Sequence, residues 1–265
     1  MGTYQKFNFQ RDKRIQLLPV KFFKEIAGRI CALWAMLWFV LTMLIVSLPI
    51  WIIGWWPQPR QAQYSYRVFR VWMGFFFLIT GLRLRKKGLE NFKKGETYIV
   101  VCNHNTLLDV PVSSPGIPGP NKTIAKIEMA RIPLFGLIYK SGSVLVDRKN
   151  EKSRRASFIE MKKVLSLGIH MCIYPEGTRN KTNEPLQRFH DGAFRLADDT
   201  NHAIIPALIF NTTKLFPNDK VFYFLPGKIE MHFLPAVEPG SQTTEQLKEK
   251  VFTLMKDYYM QHRDH

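Results

Sequence analysis

The chain has 265 residues, 38 of them Lys or Arg against 21 Asp or Glu, giving a formal charge of +17, and 13% of its residues are aromatic. That length accommodates one α/β domain plus a membrane-associating segment, and the charge suits an anionic surface: phospholipid, nucleic acid or an acidic carrier protein. Nucleic acid is set aside, because the aromatics lie inside apolar runs rather than between the charges, and no helix-turn-helix, zinc-finger or RNA-recognition signature is present.

Residues 1–29 form a basic approach, with Lys6, Arg11, Lys13, Arg14, Lys21, Lys24 and Arg29 against Asp12 and Glu25. No charge then occurs until Arg60. The run 30–56 is long enough to span a bilayer, since ~20 helical residues cover a ~30 Å hydrocarbon core. It is too long for a signal peptide and lacks a small-residue cleavage site. Pro49 predicts a helix end or kink near Ser47-Leu48, and Trp51, Trp55 and Trp56 read as interfacial anchors. A second apolar stretch, 68–80, carries Trp72, Phe75, Phe76 and Phe77. It is short for an independent span and reads as the returning arm of a hairpin or a helix lying in one leaflet. Arg83, Arg85, Lys86, Lys87, Lys93 and Lys94 follow. Basic flanks on both sides put both ends on the cytoplasmic face, which predicts a membrane-associating hairpin over 30–80, spanning or re-entrant.

From 81 to 265 the pattern is that of a second unit, in which strands alternate with helices. Strand-like runs are 97–102, 122–127, 143–147, 169–174, 203–210, 221–225 and 228–234; helix-like segments are 151–167, 191–199 and 243–262. Thr243 with Gln246 three residues on forms a capping box for the last helix. The segment 111–120 reads as a connection. This alternation predicts an α/β fold with a mixed, largely parallel sheet flanked by helices. Cys31, Cys102 and Cys172 fall in apolar or strand-like runs without disulfide or zinc spacing, and indicate a reducing compartment.

In such a sheet, sites form beyond the carboxyl ends of strands. His104 and Asp109 follow the first strand of the alternating region, in Asn103-His104-Asn105-Thr106-Leu107-Leu108-Asp109. An imidazole can take a proton near neutral pH, and a carboxylate on its other nitrogen fixes the tautomer and stabilises the imidazolium. Serine hydrolases use the same His–Asp logic with their own serine; here the attacking hydroxyl can belong to a substrate. Lys126 closes the next strand, Asp147-Arg148 the third, and Glu176-Gly177-Thr178-Arg179 the fourth. The sum is an acid–base pair near several cations.

Asn103-His104 with Asp109 resembles the first motif of the 1-acylglycerol-3-phosphate acyltransferase family, within the glycerolipid acyltransferases. Gly142–Arg148 resembles its second block, Tyr174-Pro175-Glu176-Gly177-Thr178-Arg179 its third and Ile204-Ile205-Pro206-Ala207 its fourth, in the same order, over about residues 80–240. The resemblance implies the glycerolipid acyltransferase fold with an N-terminal helix pair docked on a leaflet. It also implies transfer of a fatty acyl group from a thioester to the sn-2 hydroxyl of 1-acylglycerol 3-phosphate, forming phosphatidic acid. His104 would be the general base and Asp109 its orienting partner. Lys126, Arg148, Glu176, Gly177, Thr178 and Arg179 would bind the acceptor's phosphate, with Glu176 holding Arg179 or a substrate hydroxyl, and Asn103 would brace the turn. No cofactor or metal is called for; coenzyme A or an acyl-carrier protein brings the acyl group, and the anionic membrane surface is the other expected partner.

The sequence departs from the common pattern at Asn180, where Ser is frequent, and at Val144 and Val146, where an aromatic residue is common. Neither touches the base; substrate choice is what they bear on. Three other readings compete: transfer to another lyso-lipid, a metal hydrolase built on His104 and Asp109, and a non-catalytic basic membrane-binding protein. The second lacks further His and carboxylate ligands nearby, and the third leaves four ordered motifs without a role.

Overall fold

The computed structural model describes residues 2–182 and 184–263, and side chains from residue 22 onward, so the basic side chains of 1–21 lie outside the described residues. Helix α1 (Gly2–Ile53) carries the uncharged run, and α2 (Arg60–Thr80) returns beside it. Indole donors tie the pair: Trp72 Nε1 donates to Thr42 Oγ1 at 2.8 Å, and Trp34 Nε1 to the Ile79 carbonyl at 2.9 Å. Between them Phe39 packs on Trp72 and Phe76. Over Phe22–Ile53, α1 is long and apolar enough to cross a membrane. Its outward side chains, among them Ile30, Leu37, Ile45 and Leu48, are exposed, as are Val71, Phe75 and Leu78 of α2.

The helix end expected near Ser47-Leu48 does not occur; α1 runs on to Ile53 and the chain turns at Gly54. A proline removes one helical N–H. Here the residues after it, Ile50 and Ile53, are buried, and that packing holds the last turn.

The seven strands are β1 (Leu82–Lys87), β2 (Ile99–Cys102), β3 (Asn121–Lys126), β4 (Ser143–Val146), β5 (His170–Ile173), β6 (Ile204–Phe210) and β7 (Gly227–Phe233), in the order β1-β7-β6-β2-β5-β3-β4. β6, β2, β5, β3 and β4 are mutually parallel; β7 is antiparallel to β6, and β1 parallel to β7. The sheet is therefore mixed and mostly parallel, as expected. The central strands are apolar on both sides, with Ile99, Val100, Val101 and Cys102 all fully buried.

Helices α3 (Asp109–Gly116), α4 (Phe135–Gly142), α5 (Glu151–Ser166), α6 (Gly192–Thr200), α7 (Thr212–Leu215) and α8 (Thr244–His262) complete the domain. Val100, Cys102, Ile205 and Ile209 face one core with residues of α1, α2 and α3. Ile99, Val101, Ile204 and Leu208 face the other, with α5, α6 and α8. The Thr243–Gln246 capping box starts α8.

Three sequence expectations are corrected. Residues 221–225 form no strand: the Phe224 amide donates to the Gly28 carbonyl and the Leu225 amide to Leu215, so this backbone pairs with α1 and α7. Residues 82–87, expected only as a basic flank, form the edge strand β1, whose Leu82 and Leu84 alternate with exposed Arg83 and Arg85. Much of the connection 111–120 is helical, because the chain after Asp109 continues as α3 despite Pro115. Helix α4, a short apolar helix that leads into the second block, is likewise absent from the sequence expectations.

Candidate active site

The carboxyl ends of β2, β5, β3 and β4 lie side by side, and His104, Glu176, Lys126 and Asp147 stand at or just beyond them, while Ile204–Ala207 lies within β6. His104 follows β2 and Asp109 opens α3. His104 Nδ1 lies 2.9 Å from Asp109 Oδ2, which also accepts the amides of Asn105 at 2.5 Å and Thr106 at 2.7 Å. Asp109 is wholly buried, while 17% of the His104 side chain is exposed. A fully hydrogen-bonded carboxylate fixes the ring and leaves Nε2 as the nitrogen that can exchange a proton with a substrate. Asn103 braces this turn from behind: its amide donates to the Ile209 carbonyl at 3.0 Å and its oxygen accepts the Ile209 amide at 2.7 Å.

The loop after β5 holds the backbone of His104. Glu176 Oε1 accepts the His104 amide at 2.8 Å and Oε2 the Gln187 amide at 2.9 Å, and the Asn180 amide donates to the His104 carbonyl at 2.6 Å. Glu176 is 2% exposed, and burial raises its carboxyl to about 7 against the lowering effect of the two amides. Both Glu176 oxygens thus accept backbone amides, a role in holding the His104 loop that the sequence did not announce. Gly177 adopts a left-handed φ of 69°, and a β-carbon there would lie 2.8 Å from the His190 ring. Arg148, exposed beyond β4, donates to the Gly177 carbonyl rather than pairing with Asp147, whose Oδ1 accepts the Lys149 amide. Thr178 is exposed, Arg179 half-buried and Lys126 exposed at the end of β3. With β5 between β2 and β3 and strands spaced ~4.8 Å apart, the Lys126 position lies about 10 Å from β2.

Residues 83–210 match the acyltransferase family. The chain is 29% identical to a 1-acyl-sn-glycerol-3-phosphate acyltransferase of Helicobacter pylori, over 69% of this chain and 76% of that one. It is 25% identical to the human 1-acyl-sn-glycerol-3-phosphate acyltransferase alpha, over 78% and 71% respectively. The crystal structure of the 1-acyl-sn-glycerophosphate (LPA) acyltransferase PlsC from Thermotoga maritima shares the fold, with a TM-score of 0.76 and 21% identity, covering 90% of this chain and 98% of that one. Residues 83–210 carry an acyltransferase domain.

Around His104 this domain places further side chains to which the motifs gave no role. The Tyr174 ring lies against the His104 ring, centroids 4.4 Å apart, and its hydroxyl pairs with Ser113 Oγ at 2.7 Å. Burial pushes the Tyr174 phenol well above its usual value. Asn180 Oδ1 gathers the amide and hydroxyl of Thr182 and the Gln187 side chain, shaping the loop that clamps His104. Its departure from Ser was the available signal. His170, His202 and His232 bond the Tyr98 amide, the Thr200 carbonyl and Glu230 with Tyr258, respectively, and His190 is exposed beside Gly177. Cys102 and Cys172 are free thiols with sulfurs 3.8 Å apart in the core.

Proposed function

We propose that this acyltransferase moves a fatty acyl group from a thioester to the sn-2 hydroxyl of 1-acylglycerol 3-phosphate, producing phosphatidic acid. The His104–Asp109 pair, 2.9 Å apart at a strand end bordered by Arg148 and Arg179, carries this reading. The names of the relatives support the acceptor.

His104 Nε2 removes the hydroxyl proton as the oxygen attacks the thioester carbonyl. Asp109 stabilises the resulting imidazolium. The tetrahedral intermediate collapses, the carbon–sulfur bond breaks, and the leaving thiolate takes the proton from His104. The base is thus restored within one turnover. Arg179 engages the acceptor phosphate through its paired N–H groups, with Lys126, Arg148 and Thr178 around it. Either coenzyme A or an acyl-carrier protein suits the basic chain as donor, both being anionic. The exposed apolar faces of α1 and α2 rest on the membrane, with the catalytic domain on the cytoplasmic side.

The test supplies labelled acyl-coenzyme A or acyl-carrier protein and 1-acylglycerol 3-phosphate to purified protein in lipid. Labelled phosphatidic acid is the expected product, lost by at least ~100-fold in His104→Ala. Equal turnover in that variant removes the proposed base, and absence of product from either donor moves the reaction to another lyso-lipid.

A further inference from the structure

The segment 216–226, between α7 and β7, lies against α1 at the amino end of its apolar stretch. The Phe224 amide donates to the Gly28 carbonyl at 3.0 Å, Arg29 Nη1 reaches the Val221 carbonyl at 3.4 Å, and Lys220 pairs with Glu25. The Tyr223 ring covers Gly28 so closely that a β-carbon on Gly28 would lie 2.2 Å from it. The segment is therefore fitted to the helix.

Held in this way, its tip turns apolar groups outward. Val221 is 85% exposed and Phe222 39%, and Phe222 takes a left-handed φ of 57°, a costly conformation for a bulky side chain. Phe22, Phe23, Ile26 and Ile30 of the adjoining α1 turns are exposed as well, so the tip extends the outward apolar face of that helix. Lys24, Lys214 and Lys220 line a depression beside it together with Glu25 and Asp219. At the segment's other side, Asn218 Nδ2 donates to the Asn105 carbonyl at 2.7 Å, one residue from His104.

We propose that residues 217–225 are a second membrane contact, in which Val221 and Phe222 enter the headgroup–acyl boundary of an anionic leaflet. Lys24, Arg29 and Lys214 meet its headgroups. Continuity with the apolar face of α1 and the surrounding positive charge select lipid as the occupant. The inference rests on the reading of α1 and α2 as the membrane anchor. It goes further, because the same loop touches the backbone beside the base, so seating on lipid and the geometry of His104 are mechanically joined.

The experiment places a nitroxide on Val221→Cys, and separately on Ile45→Cys, in the full chain carrying Cys31→Ser; the buried Cys102 and Cys172 stay unlabelled. Oxygen and nickel-chelate accessibilities are measured by power-saturation resonance in phosphatidylcholine vesicles with and without phosphatidylglycerol. Both labels should favour oxygen, the one at 221 at shallower depth, and the phosphatidylglycerol should strengthen binding. A lipid-exposed label at 45 with an aqueous label at 221 overturns the loop contact and leaves the anchor standing. Aqueous labels at both positions overturn both. Val221→Glu with Phe222→Glu should weaken vesicle affinity about tenfold, and unchanged affinity overturns the proposal.

Discussion

The carboxylate of Glu176 accepts the backbone amide of His104 at 2.8 Å, so the loop after β5 positions the histidine that follows β2. The link passes through main chain and ties together two motifs more than seventy residues apart. Its consequence is that residues without contact to the reacting atoms should change turnover.

Glu176→Gln keeps the shape but turns one acceptor oxygen into an NH₂ facing a backbone N–H. Leaving that buried amide unpaired costs about 2 kcal/mol, which corresponds to ~30-fold in kcat if the displacement reaches His104. The variant should remain folded with a nearly unchanged KM for the phosphorylated acceptor. A rise in KM at constant kcat would instead assign Glu176 to phosphate binding.

Asn180 shapes the same loop through its side-chain oxygen and meets His104 through its amide. Asn180→Ala should lower kcat about tenfold, from lost hydrogen bonds worth ~1 kcal/mol or more. Asn180→Ser, whose hydroxyl can still accept the Thr182 amide, should recover much of it. Steady-state kinetics of the two variants in parallel decide the matter; equal losses would show that the loop tolerates neither change and that the side-chain acceptor is irrelevant.

Gly177→Ala asks for a left-handed alanine and pushes a methyl group into the His190 ring, 2.8 Å from the β-carbon position. The conformational part alone costs ~1–2 kcal/mol. Thermal unfolding should move down by several degrees, and the acceptor's KM should rise as Arg179 shifts. Trimming the ring in Gly177→Ala/His190→Ala should restore part of the stability, since the clash is removed and the backbone strain is not.

His170 supplies a pH-dependent part of stability. Its Nδ1 accepts the Tyr98 amide at 3.0 Å, and burial lowers its pKa from 6.5 to about 4. Between those values the unfolded chain binds the proton more readily than the folded one. Stability should therefore rise with pH across that window and fall as pH drops from 6.5 towards 4, by up to ~3 kcal/mol. Denaturant unfolding at several pH values should show a flatter profile for His170→Asn, which retains an acceptor but does not titrate. An equally steep profile would place the dependence on other groups.

The amino-acid sequence by itself determined the candidate motifs, the places of most strands along the chain and the long apolar helix. These are local properties: strand and helix periods, a His and Asp on one turn, and an uncharged run of fixed length. Tertiary structure decided what those patterns could not. It set Pro49 inside a continuous helix, because burial of Ile50 and Ile53 outweighs one lost hydrogen bond. It drew 221–225 onto α1 instead of into the sheet, because Gly28 leaves room for Tyr223. It also gave Glu176 to the His104 amide, a main-chain partner that no side-chain spacing can announce. Long-range packing and backbone hydrogen bonds join residues far apart in the chain, and they depend on which surfaces meet once the sheet has closed.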